Sequence, residues 1–270
     1  ETAEQQAEAA QDQLIYNRMK AALSDEDALS LLQRGECDVT LSNMLAAAGL
    51  EHNRGELIRR LMRDRTPAEK RELEEKIEAF TENMGDEEET SEAYEKLNAD
   101  LEEADLEVFE RDEVRMSDVR MAQLLYRQIR LSGTLARREN YEIPMEIDGE
   151  YTSVNLRVIH GTGENSLLVM TETSEYGRIG LKMEQQSEET LTGRLMAQTA
   201  PGEDFLKRVR ESFLQRLAEM GLQAGEMPVV RSRRIEADAY SRESEEENKI
   251  SSRNLYGVAK AFLQTLRRIS

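Results

Sequence analysis

The stretch YGRIGLKMEQQSEETLTGRLMAQTAPGEDFLKRVRESFLQRLAEMGLQAGEMPVV, residues 176–230, changes its hydrophobic rhythm three times. Ile179, Leu181 and Met183 alternate with polar residues, and so do Leu191, Leu195 and Ala197, as two half-buried strands require. The period then becomes that of a helix, with Phe205, Leu206, Val209, Phe213, Leu217 and Met220 on one stripe. Gly221 is placed to end that helix in a left-handed conformation, Leu222 follows as its hydrophobic companion, and EMPVV returns as a short strand. Two strands, a helix and a closing strand form a sheet covered by a helix, so the fold class expected is α+β.

Upstream, the period-two pattern extends back to Tyr141. Tyr141, Ile143, Met145 and Ile147 alternate with Glu142, Pro144, Glu146 and Asp148, and Asp148-Gly149-Glu150 turns the chain into Val154, Leu156 and Val158. Pro144 has no amide hydrogen for a ladder, which assigns this first strand to a sheet edge. The turn Gly161–Asn165 leads to SLLVMTET, and the sheet is expected to be largely antiparallel.

Before residue 140 the pattern is helical. Leu14, Ile15, Met19, Ala22 and Leu23 share a face, Ser24 and Asp25 offer N-caps to a helix that Gly35 closes, and a short helix from Ser42 to Ala48 should end at Gly49. Thr66, Pro67 and Glu69 form the start of a further helix through Leu73, Ile77 and Phe80, with Gly85 beyond its end. The charge run GDEEETSE reads as a solvated loop or helix start, since it lacks the alternating ligands of a calcium loop. Tyr94, Leu97, Leu101, Ala104 and Val108, then Val119, Leu124, Ile129 and Leu131, continue a helical bundle. Three segments follow: a helical domain over 1–139, a small α+β domain over 140–232, and a polar linker with an amphipathic C-terminal helix over 233–270.

Function is constrained mostly by exclusion. A net charge of −19 disfavours nucleic acid and anionic lipid as partners. No apolar run is long enough to span a bilayer, so no membrane insertion is expected. The single cysteine, Cys37, reads as a small buried hydrophobe, and neither His52 nor His160 lies near it in sequence. The chain has no nucleophile elbow, zinc-protease motif or phosphate loop, and HGTGEN at 160–165 reads as a strand-to-strand turn. No catalytic, cofactor-binding or metal-binding residues are assigned, and an enzyme is not expected.

The quoted stretch resembles the C-terminal domain of bacterial flagellar hook-length control proteins, over about residues 168–230. The resemblance is carried by Tyr176, Gly177, Ile179 and Leu181, by Leu191, Leu195 and Ala197, by Phe205, Leu206, Val209, Leu214 and Leu217, then by Gly221 and Leu222 with Val229 and Val230 closing. It implies a non-enzymatic regulator of type III export that contacts the cytoplasmic domain of the flagellar export-gate protein. It also implies a cytoplasmic protein, or one exported through the flagellar apparatus. A stand-alone scaffold or adaptor is the alternative. Both readings expect a protein partner, and the C-terminal helix offers a surface for it: Leu255, Val258, Phe262 and Leu266, with Ile269, form an apolar stripe, and Arg267 and Arg268, with Arg253 and Lys260, make the helix basic. The same stripe would serve equally for packing back on the body.

Overall fold

A computed structural model describes residues 3–63, 65–107, 116–161, 163–185, 187, 191–232, 235 and 250–268. Among the described residues, seven helices precede the sheet: α1 (Ala3–Ala22), α2 (Glu26–Arg34), α3 (Leu41–His52), α4 (Glu56–Met62), α5 (Pro67–Asn83), α6 (Glu87–Leu106) and α7 (Met116–Ala136). Five antiparallel strands follow in sequence order: β1 (Asn140–Ile147), β2 (Glu150–His160), β3 (Asn165–Thr173), β4 (Gly177–Gln185) and β5 (Leu191–Ala197). Helix α8 (Ala200–Glu219) then crosses the sheet and delivers β6 (Val229–Arg231), which pairs parallel to β5 with Leu195 opposite Val229. The chain closes with α9 (Arg253–Arg268). The architecture is α+β, with a six-stranded, mostly antiparallel sheet and α8 packed on it. Among the described residues, no helix is long and apolar enough to cross a membrane.

Local chemistry accounts for most boundaries. Thr66 and Glu69 form a reciprocal capping box with Pro67 in the first turn of α5. Asp86 and Glu89 do the same for α6, so the acidic run is a helix start whose carboxylates face the positive end of the dipole. Asp25 caps α2 and Thr199 caps α8. Phe205, Leu206, Val209, Phe213 and Leu217 are buried, whereas Met220 is 45% exposed, because the helix ends there and turns away.

Gly221 has φ +74° and receives the reversal after α8, with the Leu222 amide donating to the Leu217 carbonyl at 2.8 Å. Space around it is open, so only its backbone conformation restricts the residue. Gly221→Ala is therefore expected to cost about 1 kcal/mol. Urea unfolding checks this, and an unchanged midpoint would mean that the reversal relaxes without left-handed geometry.

Several expectations need correction. Helix α3 runs through Gly49 to His52, since an interior glycine costs a helix only about 1 kcal/mol and close packing favours it here. A β-carbon on Gly49 would meet the Gln128 amide nitrogen at 2.0 Å, so the glycine makes room for α7. Leu14 and Leu23, placed on one apolar face with Met19 and Ala22, are exposed, whereas Ala22 is buried. Strand β1 does lie at a sheet edge, but the inside/outside alternation fails: Glu142 is buried along with Tyr141 and Ile143, because helices cover both faces. Val108 and Ile269 lie outside the described residues.

The main core crosses residue 139 without a break. Ile58, Phe80, Tyr94, Leu101 and Ile129 from the helices share one cluster with Ile143, Val169 and Leu181 from the sheet and with Phe213 and Phe262 from α8 and α9. A second cluster joins α2, α3 and α7 through Leu31, Leu32, Met44, Leu50 and Leu135. The stretch read as a polar linker has an apolar foothold: Ile235 is buried against Leu168, Met170 and Met196.

Candidate functional site

Helix α9 carries all the partner-binding residues expected from sequence. Leu255, Val258 and Leu266 are fully buried and Phe262 is 1% exposed, packed edge-to-face on Phe213 at 5.3 Å. The helix lies against α5, α6, α8, β1 and β3. Its apolar stripe is thus spent inside the protein, which removes these four side chains from any docking surface while α9 is seated. The reason is geometric: the sheet leaves a trough beside α8 that one amphipathic helix fills. Arg267 reaches Glu78 on α5 at 3.6 Å and borders a cavity of about 320 Å³ with Met62, Ile77, Met145 and Tyr151. Arg268 is exposed at the α8–α9 groove, beside Gln215 and Glu219.

The seat of α9 also holds a cluster of buried polar groups. Glu139 sits at φ +51°, in the tight reversal from α7 into β1, and its side chain points into the seat. Tyr256 on α9 donates its hydroxyl to Glu139 Oε1 at 2.5 Å, and His160 Nε2 holds Oε2. The His160 Nδ1 faces Asn165 Oδ1 at 3.3 Å, while the Asn165 amide donates to the Ile250 carbonyl at 2.9 Å, just ahead of α9. That orientation of Asn165 makes Nδ1 a donor, so a hydrogen bond from Nε2 to the Glu139 carboxylate requires the doubly protonated imidazolium. The hydrogen bond to Glu139 accordingly raises the His160 pKa above its ordinary value. Burial pushes the Tyr256 hydroxyl far up, and that of Tyr141, 3.5 Å from it, up to about 12. Neither phenol is poised to ionise.

Glu87, at the start of α6, completes a group with Glu139 and His160 whose ligand atoms lie within 4.8 Å of one another. Repulsion from Glu139 raises the Glu87 pKa, with burial adding to it. Asp25, Asp27 and His52 form a comparable, more exposed group, in which His52 Nε2 contacts Asp25 at 2.9 Å. Two carboxylates and an imidazole have the donor chemistry of a divalent-metal site in each case. In the first group Glu139 and His160 already satisfy each other and Tyr256. Cys37 is half-buried on the α2–α3 cluster, and burial followed by Asp38 raises its thiol pKa, which works against nucleophilic reactivity.

A further acid, Asp105, is buried. Asp105 on α6 is 1% exposed, and neither carboxylate oxygen has a hydrogen-bond partner among the described residues. Burial raises its pKa from 3.8 to about 7 against an opposing pull from Arg60. The folded state therefore binds this proton more tightly than the unfolded chain does. Stability is lost as pH rises from about 4 through about 7. Asp105→Asn, which matches the neutral acid in shape, should stabilise by on the order of 3 kcal/mol above pH 7 and by almost nothing below pH 4. Thermal unfolding of both proteins across that range checks it, and a difference that does not vary with pH would mean the carboxyl finds a partner.

Sequence reasoning passed over Glu139, Asp105 and the buried pair Arg54–Glu142, and only their neighbours carried signals: Glu139 lies at a helix-to-strand junction and Arg54 precedes a glycine. Comparison of the chain with protein-family models, with curated proteins and with solved structures finds no match.

Proposed function

We propose that this chain is a non-enzymatic protein-interaction protein of flagellar export control, related to hook-length control proteins and acting on the cytoplasmic domain of the export-gate protein. The observation that carries the reading is the fold of the quoted stretch. Strands β4 and β5, helix α8, the Gly221–Leu222 reversal and β6 follow one another in the order that the family resemblance implies, with α8 buried on the sheet. The polar groups of the α9 seat agree with a structural rather than a catalytic use, because they are engaged with one another and with α9.

Binding of the full chain to the purified cytoplasmic domain of the export-gate protein from the same host, measured by calorimetry, tests the proposal. Saturable binding supports it. Absence of binding, with hook and export genes also absent from the genomic neighbourhood, would leave the scaffold or adaptor reading in its place. With α9 seated, the contact surface is sought on the exposed faces rather than on Leu255, Val258, Phe262 or Leu266.

A further inference from the structure

In a chain of net charge −19, arginines gather on one groove. Arg18 on α1, Arg59 and Arg60 on α4 and Arg63 just beyond its end border an open groove of about 580 Å³. Among the described lining residues Glu56 is the one carboxylate, paired to Arg18 at 2.8 Å, so this lining is cationic. Arg59 is held in place by donating to the Tyr151 carbonyl at 2.9 Å, and Arg63 is exposed. Arg60 stands between the groove and the buried Asp105. The apolar walls are Ala10 and Leu14 of α1, both exposed, Leu14 at 46%, while Met121 of α7 borders the groove but is buried.

From this juxtaposition the geometry points to a docking site for an acidic amphipathic segment of a partner protein. Its carboxylates meet the arginine forks, which suit bidentate carboxylate binding, and its apolar side chains cover Leu14 and Ala10. Nucleic acid presents the same charge but fits less well. The chain's overall negative field repels a long polyanion, whereas a short segment feels chiefly the local cationic lining, and a phosphate backbone has nothing to place against the apolar walls. The inference goes beyond the export reading and does not depend on it, since it specifies the chemistry of a partner and not its identity.

Fluorescence anisotropy with the full chain at low salt tests it, using three labelled probes: a glutamate-rich peptide with leucines at helical spacing, the same composition scrambled to remove the stripe, and a thymidine oligonucleotide of equal charge. The first probe should bind at least about tenfold more tightly than either of the others, and more weakly as salt rises. Leu14→Asp and Arg63→Glu, both at exposed positions, should each weaken it about tenfold or more while leaving thermal unfolding unchanged. Failure of the amphipathic peptide to bind, equal binding of the scrambled peptide, preference for the oligonucleotide, or affinity untouched by both substitutions would each overturn the proposal. None of these outcomes bears on binding to the export-gate domain, so the two readings fail separately.

Discussion

Phe262→Glu should lower stability by more than about 5 kcal/mol, which is a large part or all of what a domain of this kind possesses. Removing the ring from its place against Phe213 costs about 3–5 kcal/mol on its own. The carboxylate adds the penalty of an uncompensated buried acid, which the protein can relieve only by protonating it or by releasing α9. Release is costly too, since it returns Leu255, Tyr256, Val258, Leu263 and Leu266 to water and breaks the Tyr256–Glu139 and Lys260–Glu82 hydrogen bonds. Phe262→Leu, which keeps most of the apolar volume, should cost far less. Urea unfolding followed by circular dichroism separates the cases. A Phe262→Glu protein with the midpoint of the parent would mean that α9 is off the body in solution, and the stripe would again be open to a partner.

This outcome bears on what the sequence could and could not reveal. The strand and helix periods between Tyr141 and Val230 are local properties of the chain, and so are the caps at Thr66, Asp25 and Gly221; these were legible. An amphipathic stripe is also local, but its partner is not: Leu255, Val258, Phe262 and Leu266 present the same pattern whether the surface they meet is their own sheet or another protein. Buried charge is the second blind spot. In a chain of which 34% of residues are charged, Glu139, Glu142 and Asp105 look like any surface carboxylate, and only the tertiary packing around each distinguishes them. The alternation in β1 misled for the same reason, because Glu142 occupies the position of an outward-facing polar residue and yet meets the turn between α3 and α4 instead of water.

The pair formed there gives the second large effect. Arg54, in the turn between α3 and α4, donates to both oxygens of Glu142 at 3.3 and 3.4 Å, and the two side chains are only 5% and 6% exposed. Ser153, at 3.1 Å, and Asn155, at 2.7 Å, donate to the same carboxylate, and Glu51 holds the other side of the guanidinium. Next to Arg54, Gly55 adopts φ +83° with its α-carbon so close to β2 that a β-carbon would meet the Tyr151 carbonyl at 2.4 Å; the turn is pressed onto the sheet. Arg54→Met should therefore cost about 3–5 kcal/mol, because it strands a buried carboxylate, and Glu142→Leu should cost a similar amount by stranding the guanidinium. The double replacement should recover most of the loss, since a well-packed apolar pair avoids the desolvation that the ion pair only offsets. Because the main core runs from α4 through the sheet to α9, each single substitution should shift one common unfolding transition, whether it is followed by backbone circular dichroism or by tyrosine fluorescence. Additive losses in the double variant would show that Arg54 and Glu142 act independently, and two separated transitions would show that the helices and the sheet unfold as distinct units despite their shared core.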